Sequence, residues 1–430
     1  MPEAKAFRAL RFSSRAGGIE DVVTPPYDVI DPADRARFAG SSTHNLVHLT
    51  LPEGPADGSV SGNRYERAAK LLKSWLDSGA LEVEAGPSMT VVRETFTHDG
   101  AEFARTGVEV AMRLASYEEG SIFPHERTLS APKADRLSLM RATATQPEPV
   151  FMLVPDEDGD LRHAIAAMTS REPDHAISGP DEAKRSAWIE RDSEKLAAVE
   201  RAMAGLPAII ADGHHRYETA LAYRDELAAA GGDPGEAAFV LAHVVPIGDA
   251  GLVVQPTHRT LARPAGLDMD TFLSKLEEKF AVEPITRDGA VEFARSEPSG
   301  AEPQAFVVAL GGPERLLRAT LKDASAMDAR APDRAGAWRA LDVPCLHLLV
   351  LEDMLWITPE EITAGAAKYG HDAAEAIASA VDGADSISFI LRPTPPGAVA
   401  AVARAGERMP QKSTYFYPKV ASGFAMRLLK

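Results

Sequence analysis

Asp212-Gly213-His214-His215-Arg216 puts a carboxylate, a glycine, two imidazoles and a guanidinium at consecutive positions. The apolar run Ala208–Ala211 before them predicts a buried strand, and a helix over 214–230 is predicted to begin at once. A helix start presents unsatisfied N–H groups and partial positive charge, which suits an anion. Gly213 lets the backbone come close to a ligand. Arg216 can fork onto phosphate oxygens, while His214 and His215 can donate hydrogen bonds or protons. Asp212 would repel a bare anion, so its expected role is to hold Mg²⁺, which bridges phosphates. The bland alternative is an Asp N-cap followed by solvated histidines. Zinc is discounted, because adjacent side chains diverge on a helix and Cys345 is the sole thiol.

Two further segments carry chemistry. His125-Glu126-Arg127-Thr128, Pro132-Lys133 and Asp135-Arg136 gather acid, base and cation within a dozen residues. Glu126 or His125 could take a proton from an attacking hydroxyl, and Lys133 and Arg136 could steady phosphate oxygens; a salt-bridged surface loop is the plain alternative. In Met409–Lys419, the tandem Lys412-Ser413-Thr414 resembles a phosphate clamp in type, although no Walker loop is present. Asp28, beside Tyr27 in a double-proline turn, is expected to face the site. Thr257-His258-Arg259 repeats the His-Arg pairing. His347 reads as a satisfied core histidine, and Trp75 and Trp356 as packing.

The elements that must position these groups form a mixed α/β, or α+β, pattern. A helix is predicted over 63–78, and strands over 89–97 and 102–114 meet at Asp99-Gly100, a favoured hairpin turn. Residues 45–51 read as a strand, and the prolines at 25 and 26 hold 22–30 extended. A loop is expected from 117 to 148. Val150–Val154 is a short strand, helices are predicted over 161–169 and 192–204, and 237–246 should pair with 251–256. Beyond Pro264 and Gly266, a plausible boundary, helices are predicted over 269–279, 343–355, 372–382 and 397–407, and strands over 304–310, 314–320 and 386–391. The expected division is a core, 1–263, with the loop 117–148 inserted, and a C-terminal α+β domain, 264–430, that contributes the 409–419 segment.

Composition narrows the class. The 430 residues suffice for two or three domains. A net charge of −17 repels phosphodiesters in bulk, so no nucleic-acid partner is expected. A single cysteine excludes an intrachain disulfide. Neither a signal peptide nor a membrane-spanning apolar run is evident, so a cytoplasmic protein with no membrane partner is expected.

Taken together, Thr24–Ile30, His125–Thr128 with Pro132–Leu137, Ala211–Tyr217 and Met409–Lys419 resemble a bacterial and archaeal family catalogued as domain of unknown function 1015. The Asp-Gly-His-His-Arg segment is also similar to the signature of the ParB/sulfiredoxin superfamily, which includes partitioning CTPases, sulfiredoxins and free serine kinases. That resemblance implies a ParB/sulfiredoxin-like core in which Asp212, Gly213, His215 and Arg216 hold nucleotide phosphates and metal. Sulfiredoxin chemistry is excluded, since this loop has no cysteine, and no basic DNA-binding module is seen. The implied function is a small-molecule kinase using ATP, or another nucleotide, with Mg²⁺ on the hydroxyl of a small metabolite, free L-serine leading. Glu126 is the first choice of base and Asp28 the second. The rivals are a nucleotide-hydrolysing switch and a non-catalytic interaction protein; a homo-oligomer is compatible with any of the three.

Overall fold

Asp99 and Gly100, both at positive φ, turn the chain between its two longest strands. Two successive residues in the left-handed region match the twist of a tight hairpin. A computed structural model describes residues 3–126, 130–179, 181–299, 302–311, 315–381 and 385–430, with backbone alone at 130–132. The chain is a mixed α/β protein with two compact units. One takes in the described residues of Met1–Pro124, Thr128–Leu252 and Pro418–Lys430, and the other those of His125–Arg127 and Val253–Tyr417. Among the described residues, no helix is long and apolar enough to cross a membrane.

The first unit is built on a nine-stranded sheet. Its strands are β1 (Ala4–Lys5), β2 (Met89–His98), β3 (Ala101–Arg113), β4 (Ile122–Pro124), β5 (Val150–Val154), β6 (His175–Ser178), β7 (Lys184–Glu190), β8 (Ala208–Asp212) and β9 (Phe239–Pro246). Their order is β4-β8-β5-β9-β3-β2-β7-β6, with β1 also on β3. The pairs β4/β8 and β5/β9 are parallel and the others antiparallel. Strands buried on both faces read as continuous apolar runs, as β5 and β8 do.

One sheet face, with Val108, Val110, Met152, Ile210 and Val244, packs into a core with Leu161, Leu196 and Tyr217. These come from the helices Asp160–Met168, Ser193–Met203 and His214–Ala229. The opposite face packs Ala111 and Leu241 against Phe7, Ala9 and Ala425. Residues from Pro418 onward are sewn to this unit by bridges from Met426 to Leu10 and from Ser422 to Thr24. The buried Arg427 guanidinium adds bonds to Gln146 Oε1 (3.0 Å) and the Phe239 carbonyl (2.6 Å).

In the second unit, β10 (His258–Ala262), β11 (Phe280–Pro284), β12 (Ala305–Leu310), β13 (Arg315–Leu321), β14 (Ala367–Gly370) and β15 (Ser386–Ile390) make an antiparallel sheet ordered β11-β13-β12-β15-β10-β14. Phe293 and Ile377, from the helices Arg287–Arg295 and Ala373–Val381, pack on Val307, Leu316 and Ile390. Pro264–Gly266 falls in a turn after β10.

Several local expectations fail for identifiable reasons. The segment 117–148 is not a loop: it holds a 3₁₀ turn (Tyr117–Glu119), β4 and a helix, Ser130–Thr143. A proline in the first turn is tolerated there because those N–H groups have no intrahelical partner. A short helix, Val47–Thr50, stands where alternation had suggested a strand, and Asn45 Oδ1 accepts from its first N–H, that of Val47, at 3.0 Å. Tyr27–Val29 forms a 3₁₀ turn directly after the two prolines, since proline restricts the residues before it and not those after. Residues 237–246 and 251–256 do not pair: β9 lies between β5 and β3, and Val253–Gln255 pairs with Tyr415–Tyr417. Trp75 is buried as expected, whereas Trp356 is 64% exposed, at a φ of 54°.

Candidate active site

The sheet delivers β8 to a turn at Gly213, and the helix α1 (His214–Ala229) starts at the next residue. A register shift between Ile210 and Asp212 makes a bulge in the pairing with β5, beyond which Asp212 still lies opposite Phe151. Gly213 has φ +88°, and a Cβ there would lie 2.9 Å from the Arg216 Cζ and Nε. The glycine therefore makes room for a guanidinium of its own chain rather than for a ligand, a difference from the expected role. The Tyr217 hydroxyl donates to the Ala115 carbonyl (2.7 Å) and accepts from Ala115 N–H (3.0 Å). This fixes the first turn of α1 to the chain leaving β3.

Arg216 folds back under that turn and is 8% exposed. Its Nη2 donates to Asp212 Oδ2 at 2.6 Å, and its Nη1 donates to the Pro149 carbonyl. Asp28 Oδ2 stands 3.9 Å from the same Nη2. The second Asp212 oxygen accepts from Lys419 Nζ at 2.7 Å. Burial disfavours charge on Asp212, but Lys419 and Arg216 overcome it and hold the carboxyl well below the usual range. Burial likewise opposes the Arg216 charge, yet Asp28, Asp212 and Glu148 together raise its pKa.

Lys419 is itself positioned. The Pro418 carbonyl accepts from Arg105 Nη2 (2.6 Å) and the Lys419 carbonyl from Arg185 Nη2 (3.3 Å). Both arginines are ion-paired to the buried Glu94.

Behind Arg216 lies a cavity of about 40 Å³ lined in part by Arg136, Glu148 and Thr219. That is room for a water rather than an organic ligand. Arg216 Nε and Thr219 Oγ1 are buried with no hydrogen-bond partner. Glu148 accepts from Tyr27 N–H (2.7 Å), and burial raises its pKa in spite of Arg216 and Arg136. Arg136 pairs with Asp135, donates to the Thr50 carbonyl and stacks 4.3 Å from the Tyr27 ring. His214 is buried at the head of α1. Burial lowers the pKa of His215, with Asp28 and Glu218 opposing that shift. Lys133 bonds Glu218 Oε2 at 2.8 Å. The first unit thus brings Asp28, Arg136, Asp212, Gly213, His214, His215 and Arg216 into one neighbourhood, with Lys133 tied to Glu218 of α1.

The remaining expected residues belong to the second unit. His125 Nε2 is 2.8 Å from Thr414 Oγ1, and Glu126 Oε1 accepts from Ser413 N–H at 3.2 Å. The Ser413 hydroxyl donates to the Pro410 carbonyl (2.5 Å). Lys412 is exposed, at φ +57°, and its carbonyl accepts from Arg259 Nη2 (3.0 Å). Arg127 and Thr128, quoted with this motif, lie outside the described residues.

Sequence reasoning passed over Glu148 and Lys419. The only signal for Glu148 was an acid between two prolines ahead of a strand. Lys419 closes the 409–419 segment, but Lys412 drew the assignment.

With this geometry in place, comparison with known proteins is informative about descent. A family model described as a protein of unknown function (DUF1015) matches residues 4–344, and the chain belongs to that family. No curated protein matches the sequence. Among solved structures, a conserved hypothetical protein from Pyrococcus furiosus is similar at 13% identity and a TM-score of 0.33, covering 75% of this chain and 95% of that one. A free serine kinase variant in complex with ADP is similar at 12% identity and a TM-score of 0.34, covering 75% and 92%. SbnI from Staphylococcus aureus, truncated at its C-terminus, is similar at 11% identity and a TM-score of 0.35, covering 72% and 86%. At that level of likeness no chemistry transfers.

Proposed function

We propose that this chain is a nucleotide-dependent phosphotransferase acting on the hydroxyl of a small metabolite, with ATP as donor and free L-serine as the first acceptor to test. The observation that carries the reading is the Asp212 carboxylate held between Arg216 and Lys419 where β8 gives way to α1. Two cations and the Asp212 carboxylate, with Asp28 3.9 Å from Arg216, are locked at a helix start, and the free N–H groups of α1 supply the positive potential for nucleotide phosphates. His214 and Arg216 bind phosphate oxygens in this reading, and His215 orients the transferring group. Arg136 and Lys133 add positive potential. The proposed ParB/sulfiredoxin-like character of the core rests on the Asp-Gly-His-His-Arg segment.

The acceptor hydroxyl oxygen forms the new P–O bond as the bond to the nucleoside diphosphate breaks, and its proton passes to a carboxylate. Asp28, 3.9 Å from Arg216 Nη2, is the base within the first unit; Glu126, the first choice from the sequence, and His125, Lys412, Ser413 and Thr414 rest on their sequence motifs alone. The residues do not form a metal cage. Both Asp212 oxygens meet cations, and no group of three His, Cys, Asp or Glu converges among the described residues. Mg²⁺ in this reading arrives with the nucleotide, coordinated chiefly by phosphate and water oxygens. Asp212 joins it only if Lys419 lets go.

Incubation of the protein with ATP and an amino-acid panel, read by mass spectrometry, should give phosphoserine and ADP in equal amounts. Arg216→Ala should lower the rate at least ~100-fold. Protein that neither turns over nor binds nucleotide by calorimetry sinks the proposal. ADP released without a phosphorylated metabolite would mark a hydrolysing switch instead.

A further inference from the structure

Asp28 stands on a turn that cannot place itself. Tyr27–Val29 is three residues of 3₁₀ helix, and its N-cap, Pro26, makes no side-chain bond to it. So short a piece has few bonds of its own, and what grips it from outside decides where Asp28 points. Ahead of the turn, Thr24 and Ser422 exchange backbone bonds of 3.1 and 2.8 Å. At the turn, the Arg136 guanidinium lies 4.3 Å from the Tyr27 ring, and Tyr27 N–H donates to Glu148 Oε1 at 2.7 Å.

Glu148 comes from a stiff segment. Pro147 and Pro149 flank it. Each proline locks its own φ and holds the residue before it extended. Gln146 anchors the segment to β9, accepting from Leu241 N–H at 2.8 Å and donating to the Phe239 carbonyl at 3.1 Å. At the far end, the Pro149 carbonyl accepts from Arg216 Nη1. Residues 147–149 thus hold both members of a charged pair, Arg216 through a backbone carbonyl and the Asp28 turn through a side chain. Asp28 Oδ2 and Arg216 Nη2 stand 3.9 Å apart across that strut. Glu148 itself is 6% exposed, and burying a carboxylate is unfavourable unless it makes bonds. Burial raises its pKa in spite of Arg216 and Arg136, so neither arginine fully offsets that burial. Its bond to Tyr27 N–H is a local return on an otherwise unfavourable placement.

From the Tyr27 bond at one end of this strut and the Arg216 bond at the other, we propose that Glu148 is a positioning residue: it sets Asp28 against Arg216 and so aims the base at the acceptor hydroxyl. Glu148 touches neither acceptor nor phosphate. The kinetic consequence rests on the phosphotransferase reading, whereas the placement of the Asp28 turn does not.

The test uses the full chain and three substitutions. Glu148→Ala removes the acceptor for Tyr27 N–H, and Glu148→Gln keeps one. Glu148→Met fills the space without an acceptor and takes the place of Glu148→Ala should that variant fold poorly. With ATP and L-serine, kcat should fall at least ~10-fold in Glu148→Ala, because a misaimed base loses proximity. The calorimetric Kd for ATP should stay at the wild-type value, and Glu148→Gln should restore kcat. Combining Glu148→Ala with Asp28→Asn should give a protein no slower than Asp28→Asn alone, since a residue acting through another adds nothing once that other is gone. Amide exchange at Tyr27 should accelerate in Glu148→Ala while exchange in β8 holds. A wild type that phosphorylates nothing sinks the phosphotransferase reading, and the Tyr27 exchange rates then decide the placement by themselves. Equal kcat in wild type and a folded Glu148→Ala, additive losses in the double variant, or an unchanged Tyr27 exchange rate would each overturn the proposal.

Discussion

Asp212 and Gly213 make the sharpest predictions at the residue scale. Asp212→Asn removes a carboxylate from between Arg216 and Lys419 and leaves buried positive charge short of its counter-ion. The loss should be about 3 kcal/mol, read as a lower urea midpoint at unchanged slope. Gly213→Ala meets two obstacles, a left-handed φ and the Arg216 guanidinium 2.9 Å from the new Cβ. It should cost upwards of ~1 kcal/mol and displace Arg216, so nucleotide affinity should fall with stability. The sequence showed Asp212, Gly213, His214, His215 and Arg216 because unusual residue types stood side by side. Lys419 and Glu148 were hidden because their partners are far along the chain. Only tertiary structure brings Lys419 to Asp212, and no local spacing encodes a contact of that separation. His347, expected to be a satisfied core histidine, has its Nε2 buried without a hydrogen-bond partner; it was misread because a histidine in an apolar run looks the same whether or not its nitrogens are satisfied.

Among the elements, α1 depends on one hydroxyl. Tyr217→Phe deletes both bonds to Ala115 and leaves that buried carbonyl and N–H unpaired. About 1–3 kcal/mol should be lost, and amide exchange in the first turn of α1 should accelerate more than in β8. Strands and helices with clean periodicity were legible. Met89–His98, Ala101–Arg113, Val150–Val154, Arg64–Asp77 and His214–Ala229 all lie within a residue or two of expectation. The helix Ser130–Thr143 was not, because Leu139 and Met140 pack into different clusters and the pattern has no single apolar stripe. Strand β10 was missed because it opens with His258 and Arg259, polar residues that are nevertheless buried. Burial on both faces by tertiary neighbours can override the local signal that a strand is read from.

For the whole molecule, the pH response follows from a buried polar trio in the first unit. Thr90 and His243 both pair in register with Glu109, and the side-chain polar atoms of all three are buried with no hydrogen-bond partner. Burial raises the Glu109 pKa from 4.5 to about 8 and lowers that of His243 from 6.5 to about 4. The folded chain keeps the Glu109 proton that the unfolded chain releases. Stability present below the unfolded value is therefore lost as pH rises from 4.5 to about 8, and stays lost above. For His243 the folded state stays neutral where the unfolded state is charged, so its contribution disappears as pH falls from 6.5 to about 4. Glu109→Gln should match the wild type near the acid end and exceed it increasingly toward pH 8, by several kcal/mol at the plateau. Urea midpoints measured in steps across that span check it, and a constant difference at all pH values would count against the assignment.

The interleaved path of the chain has a consequence for its biosynthesis. Lys419 and the bridges at Ser422 and Met426 belong to the first unit, yet a ribosome makes them after every residue of the second. The earlier unit must wait, its sheet short of a cover and Asp212 short of one cation, while the later one emerges. A nonsense codon anywhere between Val253 and Tyr417 therefore damages both units, and no fragment ending there should retain the Asp212 centre.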